Sequence, residues 1–355
     1  MFLFAFSFPA ISVFFLFLLL SSFSHANGNL RVMVSEGGTF EIIDESEEPA
    51  DSESTSSELR EAVIFYLHTK SNPDTGDIIY LDDDDTVSAS HFDASKPTRV
   101  IIHGWLSSTE KLSWPEFIGR SVINRLIIIP TAYLAEGDYN IISLDWSAYA
   151  KYSYLYSRTK VVAVGKYLGL MIDYLESQGM NIADLIIVGH SLGAHIAGVG
   201  VKKTHKNFGH KISVVLSFSA LDPAGLLFYF TDTNARLRST DADYVAVIHT
   251  NAALLGYNDV LGDVDFWPNG GDWQAGCDWD VFGACSHQRS YLFFAESIST
   301  TGNQFVAHNC SSYSTYISLD CTENSASYMG GATLDTDASG TYYLTTNSAS
   351  PYAMG

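Results

Sequence analysis

The chemistry of this chain concentrates in one short run, Gly189-His190-Ser191-Leu192-Gly193. Asp184-Leu185-Ile186-Ile187-Val188 leads into it, and Ala194-His195-Ile196-Ala197 continues in residues compatible with a helix. Strand, tight turn and helix around Gly-x-Ser-x-Gly describe a nucleophile elbow, in which glycines permit the sharp turn and the serine Oγ stands exposed at the carboxyl edge of a sheet. The bare pattern is weak, because at this glycine and serine content it arises by chance on the order of a few tenths of a time. Its placement between a strand and a helix is what makes Ser191 the candidate nucleophile.

Serine is a poor nucleophile at its own pKa and needs a histidine base, which in turn needs a carboxylate to hold its tautomer. In folds built on such an elbow the partners follow in the order Ser, acid, His. Asp222 is the first carboxylate after the apolar run Val214–Leu221, and Pro223 stops that strand behind it; Asp241 and Asp243 are the reserves. Three histidines lie downstream. His249 ends the apolar run Val245-Ala246-Val247-Ile248 and reads as a structural histidine; His308, beside Asn309 and Cys310, reads as a surface residue. His287 follows Cys285 by two residues, on what reads as a loop that a disulfide would anchor, and is the candidate base. A tetrahedral oxyanion needs the amide of the residue after the nucleophile, Leu192, and a second one from a loop after an earlier strand. His103-Gly104-Trp105, at the end of Arg99–Ile102, can supply it.

To position these residues the chain offers β-rich runs at Arg99–Ile102, Asn140–Leu144, Asp184–Val188, Ser213–Leu221 and Tyr244–Ile248, alternating with segments long enough for helices. That alternation predicts an α/β fold with a mostly parallel sheet flanked by helices. The clearest helix runs from about Thr159 to Ser177, with Val161, Val164, Leu168, Met171 and Leu175 at three- and four-residue intervals and Gly179 as terminator. After about Asn251 helical periodicity fades, and a loop-rich region with a few late strands is expected. There is no internal repeat, no heptad pattern and no metal-ligand cluster of known spacing, so the chemistry must come from side chains.

Residues 1–26 combine an apolar run, Ile11 to Leu20, with Ser24-His25-Ala26, the pattern of a signal peptide cleaved before Asn27. Residues 27–58 turn acidic and Ser-rich and read as a mobile linker or pro-segment, leaving 59–355 as one catalytic domain. A formal net charge of -21 argues against nucleic acid or strongly anionic surfaces as partners and favours uncharged or zwitterionic substrates. The four cysteines sit late in a chain expected to be secreted to the extracellular space. Sequence allows three pairings; nearest-neighbour pairing, Cys277 with Cys285 and Cys310 with Cys321, is the one adopted.

These motifs in this order resemble the animal pancreatic-lipase family. The likeness runs from about Val63 to the C-terminus and includes Lys96-Pro97-Thr98 before His103-Gly104-Trp105, Asp138-Tyr139-Asn140 before Asp145-Trp146, Leu221-Asp222-Pro223-Ala224, Pro268-Asn269-Gly270-Gly271 and Cys285-Ser286-His287-Gln288-Arg289-Ser290-Tyr291. The resemblance implies an α/β-hydrolase fold, a triad at Ser191, Asp222 and His287, and oxyanion amides at Trp105 and Leu192. It also implies a lipid substrate met at a membrane or micelle surface. Three departures narrow the expectation. The chain ends where the family's catalytic domain ends, so dependence on colipase is not expected. The lid between Cys277 and Cys285 holds only Asp278–Ala284, and Asn251–Val264 is also short. This is similar to venom phospholipases and insect gut lipases, which implies polar glycerolipids cleaved at sn-1, with a neutral-glyceride lipase as the alternative. Trp279, Val281 and Phe282 in the short lid could touch lipid. Finally, Arg238 stands where calcium-binding members carry a carboxylate, although Asp241 is retained; no cofactor is expected, and this departure puts calcium binding in doubt. The reading from another class is a lipid-binding or storage protein on the same fold.

Overall fold

The computed structural model describes residues 30–34, 40–44, 50–109, 128–207, 217–229 and 233–355 apart from positions 279, 281, 300 and 322. The expected signal peptide lies outside these residues, as do Trp279 and Val281. Among the described residues no helix is long and apolar enough to cross a membrane.

The strands are β1 Leu30–Val34, β2 Phe40–Asp44, β3 Ile64–His68, β4 Asp77–Ile79, β5 Thr98–Ile102, β6 Asn140–Asp145, β7 Ile186–His190, β8 Ser217–Leu221, β9 Tyr244–Ile248, β10 Val264–Pro268, β11 Val306–Asn309, β12 Ala326–Tyr328 and β13 Gly340–Leu344. β1 and β2 form a separate hairpin, and the other eleven form one sheet in the order β12-β11-β13-β10-β9-β8-β7-β5-β6-β3-β4. From β13 to β6 every neighbouring pair is parallel. Antiparallel strands close both edges, β3 and β4 beyond β6 and β11 and β12 beyond β13. All residues of β5, β6, β7 and β9 are buried, because helices cover both faces of the parallel strands.

The longer helices are α1 Ser56–Ala62, α2 Ile128–Glu136, α3 Tyr154–Ser177, α4 Leu192–Asn207 and α5 Ala284–Ser297. Successive side chains of β5 divide between two cores: Val100 and Ile102 join Val161, Leu168 and Ile196 of α3 and α4, whereas Ile101 joins Ile129 and Tyr133 of α2 and Phe293 and Phe294 of α5. Each such aliphatic or aromatic side chain contributes about 2 kcal/mol by leaving water. The fold is the expected α/β hydrolase.

α3 starts five residues before its expected position. Ser153 caps it by accepting from Tyr156 N, and its first turns carry Arg158 and Lys160, both buried. Its end is as expected: Gly179 at φ +97° lets Gly179 N reach Glu176 O and Met180 N reach Leu175 O, closing the last carbonyls.

The acidic N-terminal segment, expected to be mobile, is anchored where it is described. Asp51 bonds the buried Arg158 at 2.5 Å, Ser52 N donates to Thr159 O at 3.0 Å, Ser54 Oγ accepts from Lys160 Nζ at 3.0 Å, and Thr55 with Glu58 forms a capping box on α1. Glu41 of β2 accepts from Tyr154 N. Low apolar content excluded a core of its own, but polar side chains that cap and pair hold it to α3.

Candidate active site

The chemistry-bearing residues sit on the carboxyl ends of consecutive strands of the parallel sheet: Gly104 and Trp105 after β5, Ser191 after β7, Asp222 after β8, and Thr250 and Asn251 after β9. Ser191 has φ +57°, a left-handed backbone that a non-glycine residue adopts only where its surroundings over-determine it. Here its amide is pinned to Leu221 O at 3.0 Å and α4 begins at the next residue. The glycines of the elbow are required by contact. A Cβ on Gly189 would lie 2.5 Å from Gly193 O, and one on Gly193 would lie 2.5 Å from Ile102 O and 2.7 Å from His103 O. A Cβ on Gly104 would meet Ser191 Cβ at 2.8 Å, so the second loop passes directly against the nucleophile.

Asp222 is fully buried, with φ +43°, and both carboxylate oxygens are committed. Oδ1 accepts from Thr250 N at 2.8 Å and Asn251 N at 3.0 Å, and Oδ2 meets His287 Nδ1 at 2.5 Å. The reserve carboxylates are elsewhere: Asp243 is exposed, and Asp241 pairs with Lys202 and Arg238. His287 lies not on a loop but in the first turn of α5, its amide bonded to Gly283 O at 2.8 Å. Asp280 caps this helix start, accepting from Cys285 N at 3.0 Å and Ser286 N at 2.7 Å. Cys277 and Cys285 are bonded across an eight-residue separation, and Cys310 with Cys321 across eleven, the expected pairing.

With Nδ1 held by Asp222, His287 has Nε2 left for the serine. The Asp222–His287 half of the arrangement is closed; among the described residues no hydrogen bond joins Ser191 Oγ to His287, a contact of the kind that tightens on substrate binding. His190 packs its ring 4.5 Å from that of His287 and 5.1 Å from Tyr291, with Nε2 at 3.4 Å from His287 O. Burial, with His287 beside it, holds the His190 pKa well below the ordinary histidine range, so it stays neutral and adds no repulsion to an imidazolium at His287. Among the described residues the amides of Leu192 and Trp105 donate to no acceptor, which leaves both free for an oxyanion.

The family model for lipases matches residues 32–352. The chain belongs to the lipase family. This lipase-family chain is 32% identical over 281 residues to pancreatic triacylglycerol lipase of Myocastor coypus, covering 72% of the chain and 57% of that relative. It is 32% identical over 280 residues to inactive pancreatic lipase-related protein 1 of Homo sapiens (72% and 56%) and 32% identical over 297 residues to lipoprotein lipase of Rattus norvegicus (76% and 59%). It spans somewhat more than half the length of these relatives.

Other parts of the lipase site were not singled out in the sequence. His103, read only as part of the turn, is buried; its Nδ1 meets Gly104 O at 2.8 Å, its Nε2 accepts from Trp146 N at 3.1 Å and lies 3.5 Å from Asp145 Oδ1. Asp145 also accepts from Thr109 N and Oγ1 and from Ser147 N, which ties the segment carrying Gly104 and Trp105 to the end of β6. Burial pushes Asp145 up, but His103, Ser147 and Thr109 outweigh that and hold its carboxyl well below the usual carboxylate range. An aspartate closing an apolar strand before a tryptophan was the available signal, and its meaning depends on a loop distant in sequence. His249 is the structural histidine expected, with Nε2 on Asp265 at 2.7 Å, Nδ1 on Tyr257 O at 3.0 Å and its ring stacked on Trp267. His308 lies in β11, half-buried.

Proposed function

We propose that the protein is a serine hydrolase of glycerolipid acyl esters working through an acyl-Ser191 intermediate. The observation that carries this is the committed Asp222–His287 pair beside a strained Ser191 with two unengaged amides around it. His287 Nε2 takes the Ser191 proton as Oγ attacks the ester carbonyl, the amides of Trp105 and Leu192 hold the oxyanion, and the imidazolium, stabilised by Asp222, protonates the departing glycerol oxygen. Water then repeats the sequence to release the fatty acid. The disulfides suit an extracellular enzyme.

The favoured substrate is a phospholipid or galactolipid cleaved at sn-1. Support comes from the short separation of Cys277 and Cys285, eight residues apart, with Asp280 bonded to the start of α5; a lid this short favours a site that does not wait for an oil surface to open it. Exposed aromatic side chains that could meet lipid include Tyr152, Tyr229 and Trp273, and Trp105, of the proposed oxyanion loop, donates through Nε1 to Tyr152 O. The second reading, a neutral-glyceride lipase, is favoured by the relative named pancreatic triacylglycerol lipase. Neither a colipase nor a nucleic acid enters the proposal. The test is fatty-acid release from phosphatidylcholine, monogalactosyl diglyceride and triolein, with Ser191→Ala as control. Polar-lipid hydrolysis lost in the variant supports the reading; triolein preference moves the function to the second. No hydrolysis, together with no labelling by a serine-directed phosphonate, gives the non-catalytic lipid-binding protein.

A further inference from the structure

Lys202 lies on α4, about three turns beyond the nucleophile, with its side chain only 10% exposed. An ammonium has three N–H donors, and here three oxygens receive them: Thr233 O at 2.9 Å, Asp241 Oδ2 at 3.1 Å and Arg236 O. Arg238 completes the enclosure. Its amide donates to Asp241 Oδ2 at 2.9 Å, its Nε to Asp241 Oδ1 at 3.0 Å and its Nη1 to Thr233 Oγ1 at 3.2 Å. Main-chain carbonyls and a carboxylate converging on one point are the donor set of a hard cation such as calcium. The residues present do not fit that ion. Calcium needs six to eight oxygens, whereas the point of convergence is taken by the Lys202 ammonium, with the Arg238 guanidinium on the same carboxylate.

We propose that Lys202 is a tethered cation that replaces the metal and holds the 233–241 loop against α4, making this chain independent of calcium. The loop matters because it reaches the site. Leu237 N donates to His195 Nδ1 at 3.1 Å, which fixes the tautomer, so that His195 Nε2 donates to Ala224 O at 2.8 Å, two residues beyond Asp222. Burial drives the His195 pKa down to about 3, so this relay is neutral and keeps its direction. Lys202 is thus a positioning residue, acting through Leu237, His195 and Ala224 on the strand end that carries the acid.

Thermal unfolding of the full-length secreted protein tests this without relying on hydrolysis. The wild-type Tm should be the same in millimolar calcium and in excess chelator. Lys202→Met, which keeps the stem and removes the charge, should lower Tm by roughly 3–5 °C, because the carbonyls of Thr233 and Arg236 lose their donor and Asp241 keeps only Arg238. Lys202→Ala/Arg238→Asp, which opens the cage and adds a second carboxylate, should gain several degrees on adding calcium while magnesium adds little. Should Lys202→Met not accumulate folded, refolding of the double variant with and without calcium reads the same cage. A wild-type Tm that falls in chelator, an unchanged Tm for Lys202→Met, or a double variant indifferent to calcium each overturns the proposal.

Discussion

Replacing Asp222 by asparagine separates orientation from charge, and the structure fixes how the new side chain must sit. Oδ1 accepts two backbone N–H groups, from Thr250 and Asn251, so the amide oxygen of an asparagine takes that position. Its NH2 group then faces His287 Nδ1, where the wild type has an acceptor at 2.5 Å. Two donors cannot share that contact, so His287 shifts its proton to Nε2, the atom that must accept from Ser191, and general-base catalysis stops in the favoured tautomer. Triads of this kind lose about 10⁴ in kcat on such a change, or ~5.5 kcal/mol of transition-state stabilisation. Both backbone amides keep an acceptor, so the fold should survive. The assay is kcat for a soluble short-chain 4-nitrophenyl ester beside a thermal melt, with Asp222→Ala as the variant that strips the amides and should lose stability as well. If Asp222→Asn retains activity within tenfold of wild type while melting normally, His287 is not oriented by Asp222 and the assignment of the acid fails.

Other outcomes follow from single contacts. Gly104→Ala would place a methyl 2.8 Å from Ser191 Cβ, and displacing the oxyanion loop should cut kcat about 10²-fold with little change in KM; a loss under threefold in steady-state kinetics would show that the loop can move freely. The folded pKa of His195, about 3, lies below its unfolded value, so the unfolded state takes up the proton first and stability falls as pH drops below about 6.5, by ~2 kcal/mol at pH 5 from this group alone. His190 adds in the same direction. Denaturant melts at pH 7 and pH 5 check this, and equal stability at the two values would contradict neutral buried histidines. Asp51→Ala leaves the Arg158 guanidinium buried without its carboxylate; because Asp51 is 38% exposed the cost is about 1–2 kcal/mol, visible as a lower Tm and as faster proteolytic cutting before α1.

The strands that carry the site were legible because a parallel strand buried on both faces is an uninterrupted apolar run; Tyr244–Ile248 was read to the residue, and Asp184–Val188 began two residues early only because Ile182–Asp184 forms a short 3-10 turn. The elbow was legible because contact, not chance, selects its glycines. α5 was not. Its inner face near the site is Ser286, His287 and Ser290, all buried, so the helix that delivers the base shows a polar stripe where a periodicity search looks for an apolar one. β3 was missed for a related reason: only alternate residues are buried, and the stretch is five residues long.

The least legible parts are those in which the main chain supplies the chemistry. Thr250 N and Asn251 N hold Asp222, Gly104 O meets His103, and Thr233 O and Arg236 O bind Lys202; any residue type presents the same amide or carbonyl. What the sequence shows of such a site is only its charged member. Arg238 therefore reads as a lost ligand when taken alone, and the compensating Lys202, 36 positions earlier on another element, carries no mark that distinguishes it from the neighbouring Lys203. The difference between a broken metal site and a site with its own cation lies in where the loop's carbonyls point, and that is decided by the packing of the 233–241 loop on α4.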